Sequence, residues 1–265
     1  MAPLFALQVG VSFVVVFVWI TVLTVAAERL GTRTGGALAG IPATMVVALF
    51  FIGLIESPSY AASVTTGIPL VVGVNALFAV VYVFFRTRPL WQSLSLALLF
   101  WVVVASVVHA SGIHSFPLSV ALFFAFIVLG WYLLEKALRV TTVEARKVRY
   151  SMPQLVERGF LSGAVVASAV LGAHFGGPLL GGILASFPAL TVALIVIMHR
   201  AQGGEVTASL LKHFIIGGTF NVLVFVVLVR YSFPTLGVSW GTAVSFLGSL
   251  VMTPVLYRAL NARMK

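Results

Sequence analysis

The sequence predicts an all-α integral membrane protein, and three observations support that prediction. Hydrophobic residues make up 61% of the 265 residues and charged residues only 8%, whereas a soluble domain has roughly 45–50% apolar and 25% charged residues. Uncharged runs such as 11–27 and 120–134 approach the roughly 20 apolar residues that cross a bilayer as a helix. A motif that contains paired glycines and a proline also occurs twice, which predicts that the helices form two related halves.

Hydropathy divides the chain into nine predicted membrane spans. They are 8–27, 35–55, 66–85, 91–109, 117–134, 157–175, 179–199, 213–230 and 237–256. Each is an apolar run of helical length, and polar or glycine-containing segments separate them. Because nine is an odd number, the two ends of the chain are predicted to lie on opposite sides of the membrane.

The basic residues orient these spans. The formal net charge is +10, and of the 16 Lys and Arg residues only Arg230 lies outside the loops after spans one, three, five and seven and the C-terminal tail. Basic residues concentrate on the cytoplasmic side of membrane proteins. We therefore predict a multi-pass protein of the cytoplasmic (inner) membrane, with the N-terminus outside and the C-terminus in the cytoplasm.

The same distribution argues against a nucleic-acid partner. Nucleic-acid binding needs a basic patch with interleaved aromatic residues on a folded domain, and the longest polar segment, 135–157, is too short to form one. Its basic cluster at 146–149 is better suited to anionic lipid headgroups. The predicted partner is the lipid bilayer itself, and a homo-oligomer is compatible with the sequence.

The chain contains an internal duplication with an offset of 146 residues. The phrase GGALAGIPA at 35–43 returns as GGILASFPA at 181–189. The same offset places Gly31 on Gly177 and Asn75 on Asn221. Apolar identities are common in such a composition, but a shared proline, asparagine and paired glycines at one offset indicate a true repeat.

The repeat predicts three segments. Residues 1–112 form the first repeat with spans one to four, 113–150 hold span five and a basic cytoplasmic linker, and 151–265 form the second repeat with spans six to nine. A single connecting span inverts the second repeat relative to the first. Inverted repeats are common in transporters, whose substrate site lies near the bilayer midplane between the repeats.

The predicted site follows from the repeated phrase and the shared asparagines. A proline near the start of a span kinks the helix and leaves a carbonyl unpaired, and a helix start offers free N–H groups and a positive dipole end, which favour an anion. The predicted substrate or pathway residues are Gly35, Gly36, Pro42, Thr44, Asn75, Gly181, Gly182, Ser186, Pro188, Thr191 and Asn221. Two alternatives stay open: the glycines and prolines only pack at a pseudo-two-fold axis, and the asparagines only form interhelical hydrogen bonds.

The sequence offers no basis for catalysis. It contains no nucleophile elbow, HExxH, Walker loop or paired catalytic carboxylates, and no charged residue lies at the centre of a predicted span. His109, His114 and His174 are all predicted on the outer face, but their spacing matches no zinc motif. We therefore predict no enzyme activity, no cofactor and no metal site.

Each half, and the second more completely, resembles the GlpM-like family of small four-helix bacterial inner-membrane proteins. The resemblance rests on the glycine-rich entry to Phe187 and Pro188, the apolar helix after it, the 200–205 turn with its Gly-Gly-Glu, and the long apolar pair that follows. It implies an inner-membrane location and a four-helix unit. This chain differs in being a fused double copy with a joining helix.

Taken together, these features favour a transporter or passive permease for a small solute, and the helix starts favour an anionic one. The first alternative is a lipid or polyprenyl-phosphate flippase, in which Arg230 would meet a phosphate headgroup on the outer face. An alternative of another class is a membrane scaffold or regulator that transports nothing.

Overall fold

The fold is entirely helical in the part of the chain that the structure describes. The computed structural model describes the backbone of residues 2–39, 42–143 and 151–263, and their side chains except at 2, 27–39, 216–217 and 252–263. The helices are α1 (Ala2–Ala39), α2 (Ala43–Ile55), α3 (Pro58–Val64), α4 (Ile68–Phe84), α5 (Leu90–Ser111), α6 (Phe116–Tyr132), a π-helical turn (Leu133–Ala137), α7 (Met152–Ala185) and α8 (Ala189–Arg263).

Local sequence signals set several helix starts and ends. The Ser57 hydroxyl accepts a hydrogen bond from the Tyr60 N–H at the start of α3, and Ser151 forms a capping box with Gln154 at the start of α7. Such caps satisfy N–H groups that have no partner within the helix. At the end of α5, Gly112 adopts φ 59°, a left-handed conformation that glycine tolerates best.

Three glycines break the two long helices. Gly177 interrupts α7 with φ 85°, and Gly203 and Gly237 interrupt α8 with φ 85° and 74°. A Cβ on Gly181 would lie 2.9 Å from the Cα of Ala173, so the chain reverses at Gly177 and its two helical arms lie side by side. A single glycine in this conformation permits a turn that other residues rarely adopt.

In the part of the chain that it describes, the structure has fewer separate α-helices than the nine predicted spans. Five helical stretches are long and apolar enough to cross a membrane, and α2 is a shorter apolar helix. They are Pro3–Ala26, Pro58–Phe84, Leu90–Ser111, Phe116–Ala137 and Met152–Val251. The predicted loops between spans six and nine are replaced by single-glycine breaks, which hydropathy cannot distinguish from loops. Likewise α1 continues past the predicted end of span one.

The first helices of the two halves pack antiparallel. Near the start of α1, the Phe5 ring stacks on His174 with centroids 4.2 Å apart, and further along, Phe13 meets Phe160 at 5.5 Å. Gly163 of α7 accommodates the Phe13 ring, and Gly159 accommodates the Phe17 ring. The 146-residue offset aligns position 13 with 159 and position 17 with 163. The Phe13–Gly163 contact and the Phe17–Gly159 contact therefore occupy equivalent positions, and this helix pair has local two-fold symmetry.

Polar contacts gather at the two ends of α4. At one end, the Arg230 guanidinium donates to the Thr66 hydroxyl at 3.1 Å, and before α3 Glu56 pairs with His174 at 2.5 Å. At the other end, Arg86 pairs with Glu205 at 2.9 Å. The pairs Glu56–His174 and Arg86–Glu205 each connect the first half with the second. The apolar core and the candidate site lie between these ends.

Candidate functional site

A central cavity lies where the broken helices of both halves meet. Its empty volume is about 750 Å³, the open mouth included. Its walls come from α2, α4, the end of α7 and two parts of α8. The cavity lies about midway between the polar contacts at the two ends of α4, because Asn75, which lines it, is near the middle of that helix.

The cavity brings together six of the eleven predicted site residues. They are Pro42, Thr44, Asn75, Ser186, Pro188 and Thr191. Gly181, Gly182 and Asn221 do not line it, and Gly35 and Gly36 lie in α1 outside the described side chains. The wall residues come from both halves and from positions far apart in the chain, so the fold assembles them.

Two helix breaks at equivalent positions in the aligned sequences line this site. In the first half α1 ends at Ala39 and α2 begins at Ala43, and in the second half α7 ends at Ala185 and α8 begins at Ala189. In each break the proline carbonyl accepts the first backbone bond of the new helix, at 2.9 Å for Pro42 and 2.8 Å for Pro188. Both helix starts, with their positive dipole ends, line the cavity.

Asn75 joins the second break to the first half. Its side-chain amide donates to the Ser186 carbonyl at 2.8 Å, and its oxygen accepts the Trp101 indole N–H at 2.7 Å. The Trp101 ring also meets Phe187 edge-on, with centroids 5.0 Å apart. Asn75 thus satisfies a carbonyl that the helix break would leave unpaired, and it holds α4, α5 and the break together.

The threonines of the wall fall into two kinds. The Thr219 hydroxyl donates to the carbonyl of Ile215 in its own helix, as hydroxyls in membrane helices often do. The Thr44 and Thr191 side chains have no hydrogen-bond partner among the described residues. Each lies in the first turn of its helix, where no helical carbonyl precedes it, so its hydroxyl is available to the cavity.

The predicted residues outside the wall have other surroundings. Gly182 lets α7 approach α3 closely, because a Cβ there would lie 2.5 Å from the Val64 carbonyl oxygen. Gly181 permits the reversal at Gly177. Asn221 is fully buried and does not line the cavity, whereas Asn75 does, so the two asparagines do not form a symmetric pair around it.

Most of the wall is apolar, and none of the described lining residues is charged. Met45, Leu190 and Phe214 contribute to it, and Trp101 supports it through Asn75. Sequence reasoning missed these four residues, because an apolar side chain in a chain that is 61% hydrophobic carries no distinguishing signal. Only its place after a helix break could have drawn attention to Leu190.

His174 lies outside the cavity wall. Its ring bonds Glu56 and stacks on Phe5. Within the described residues, no group of three or more His, Cys, Asp or Glu side chains could hold a metal ion. The Arg230 guanidinium lies 4.5 Å from the centre of the Phe116 ring and bonds Thr66, so it holds α8 against the start of α4.

Comparison with known proteins gives one match. A family model described as a protein of unknown function, DUF3147, matches residues 156–262, which lie within the predicted second repeat. No curated protein and no solved structure matches the chain. The resemblance to the GlpM-like family stays a prediction.

Proposed function

We propose that this protein is a membrane transporter or passive permease for a small solute, with its binding site in the central cavity. The observation that carries the proposal is the cavity itself, which two broken helices from the two halves enclose about midway between the polar ends. Non-helical backbone at membrane depth is tolerated only where protein buries it or where it lines a water-filled cavity. Substrate sites of transporters are commonly built from such discontinuous helices.

The exterior of the helices supports membrane embedding. Val107 of α5 and Val128 of α6 are 62% and 63% exposed, and these exposed faces continue as apolar surfaces along both helices. A soluble protein rarely exposes a contiguous apolar surface of this extent. Lipid is the partner that such a surface suits.

We further propose nine crossings in two inverted repeats of four, joined by a central helix. Gly177 and Gly203 lie between predicted spans and Gly237 is the first residue of predicted span nine. The antiparallel, two-fold contact between α1 and α7 is the arrangement that inverted repeats would produce. The basic residues Arg86 and Lys212 lie at the end of the molecule predicted to be cytoplasmic, and Arg230 at the opposite end. These contacts support an N-terminus outside and a C-terminus in the cytoplasm.

Cysteine accessibility tests the pathway without knowledge of the solute. The natural chain contains no cysteine, so Thr191→Cys introduces a single reactive thiol into the cavity. We expect membrane-impermeant thiol reagents to label this variant in sealed vesicles, from the outside and from the cytoplasmic side. Adding Ala79→Phe, which fills the cavity wall, should reduce labelling from both sides at least about tenfold, the equivalent of roughly 1.4 kcal/mol.

Three further single-cysteine variants control this experiment. Thr235→Cys and Thr142→Cys, both exposed near opposite ends of the molecule, should each react from one side only, while Val128→Cys on the apolar surface should resist. A Thr191→Cys variant that reacts from neither side would refute a transport pathway and favour a scaffold. Movement of a fluorescent phospholipid across the bilayer that Ala79→Phe abolishes would favour the flippase instead.

A further inference from the structure

We propose that the cavity binds a small monovalent anion with a short apolar tail, of the monocarboxylate class, and that Thr44, Thr191 and the start of α8 hold its charged group. The inference rests on the proposed function, because it names the substrate class of the same cavity. Thr44 and Thr191 are the residues to which it assigns a role in specificity.

The second helix break favours negative charge because carbonyls at the end of α7 have hydrogen-bond partners, whereas N–H groups at the start of α8 have none among the described residues. Four carbonyls at and just after the end of α7 have partners: Gly182 and Ile183 accept the Ser186 N–H, Leu184 accepts the Phe187 N–H, and Ser186 accepts from Asn75. The start of α8 is left open, since no acceptor for the Leu190 or Thr191 N–H occurs among the described residues. Unpaired N–H groups at a helix start are donors for an anion.

The Thr191 side chain is an independent observation that points to a ligand. Thr191 is only 7% exposed and lines the cavity, yet its hydroxyl has no hydrogen-bond partner in the described part of the chain. A hydroxyl that lines a cavity without a protein partner is available to a ligand or to water. Its equivalent at the start of α2, Thr44, also faces the cavity without a partner, so hydroxyls from the two opposed helix starts are available to one ligand.

The absence of charge from the described wall favours a ligand with a single negative charge. Removing an ion from water costs more as the square of its charge, so a divalent anion would need many more hydrogen-bond donors than a monovalent one. Backbone N–H groups and hydroxyls can compensate one charge. The apolar side chains of Met45, Leu190 and Phe214 favour a short hydrocarbon group attached to it.

Charge preference can be measured with a reporter thiol that leaves both threonines intact. Ala79→Cys lies on the wall and would react with an anionic reagent, 2-sulfonatoethyl methanethiosulfonate, or a cationic one, 2-(trimethylammonio)ethyl methanethiosulfonate. We expect the anionic reagent to react about tenfold faster relative to each reagent's rate with a free thiol, because the N-terminus of a helix attracts negative charge. Thr191→Val should reduce this preference, as should Thr44→Val.

Thr219→Val is the matched control. Thr219 lines the same cavity, but its hydroxyl is bonded to its own helix, so its loss should leave the charge preference unchanged. An equal loss in Thr219→Val and Thr191→Val would contradict the roles assigned here.

Protection from labelling tests the ligand class. Propionate should slow labelling of the cysteine at position 79, whereas propionamide, its neutral analogue of similar shape, and divalent sulfate should not. Chloride should protect less than propionate, because it has no apolar part. If the thiol reacts without anion preference, or if propionamide protects as well as propionate, the anion inference fails while the proposed pathway stands. If neither reagent reaches the thiol, the proposed function itself fails.

Discussion

Asn75 and Asn221, which the predicted repeat aligns, have different surroundings in the structure. Asn75 lies on the cavity wall, while Asn221, at the equivalent place in the second half, is fully buried away from it. One turn after Asn75 stands Ala79, and one turn after Asn221 stands Phe225, which is also fully buried. On a helix, residues four apart share a face. A small residue thus leaves space beside the first asparagine, and a large one fills the corresponding space beside the second.

The largest expected effect comes from removing the Phe225 side chain, which fills the space beside Asn221. Phe225→Ala should destabilise the protein by about 3–5 kcal/mol, the usual cost of removing a buried phenylalanine. Unfolding by titration with sodium dodecyl sulfate would measure it. Phe84→Ala, which removes a ring that is 62% exposed, is the matched control and should cost much less. Similar losses in both variants would mean that Phe225 does not fill the core.

A smaller effect should distinguish the two asparagines directly. Asn75→Ala leaves the Ser186 carbonyl and the Trp101 N–H without their partners, and each unpaired group costs ~1–3 kcal/mol when buried, with membrane values nearer the lower limit. We therefore expect a loss of about 2 kcal/mol in the unfolding titration. Labelling of the cysteine at position 79 should change as well, because the break is no longer held.

Asn221→Ala serves as the comparison for that variant. Whatever its effect on stability, it should leave the labelling rate in the cavity unchanged, because Asn221 is not part of the wall. Equal changes in labelling from both asparagine variants would contradict the division of roles.

The smallest effect should come from the indole of Trp101. Trp101→Phe removes one hydrogen-bond donor and keeps most of the ring that contacts Phe187, so we expect a loss of about 1 kcal/mol. Combined with Asn75→Ala, the two losses should fall short of their sum, because both variants break the same bond. Additive losses would show that the Trp101–Asn75 bond contributes nothing, and Trp131→Phe on the exposed surface provides the control.

The sequence predicted the helical class because composition alone sets it. It also predicted closely where α7 and α8 break, since Gly177 and Gly203 fall between predicted spans and Gly237 is the first residue of span nine. It could not tell a one-residue break from a loop, because hydropathy averages over many residues and φ at a single glycine does not enter it. The continuation of α1 past residue 27 was missed for the same reason.

For the candidate site, the sequence identified the residues that the repeat marks and missed those that only packing selects. Pro42, Pro188 and Thr191 lie on the cavity wall because both helices restart beside the repeated phrase. The expected symmetry of Asn75 and Asn221 is absent, since an aligned identity says nothing about neighbours such as Ala79 and Phe225. Apolar wall residues such as Phe214 stayed invisible among many similar side chains.

The antiparallel contact between α1 and α7 has a consequence for how the protein is made. The two helices lie 146 residues apart in the chain, and at roughly 5–20 residues per second of synthesis, α1 leaves the ribosome roughly 7–30 seconds before α7 does. During that interval Gly159 and Gly163 of α7 are not yet available to pack against the Phe13 and Phe17 rings, so lipid or an insertion chaperone must cover these rings. Assembly of this bundle therefore waits for the later half of translation, and a nascent chain halted before residue 159 would remain open along its first helix.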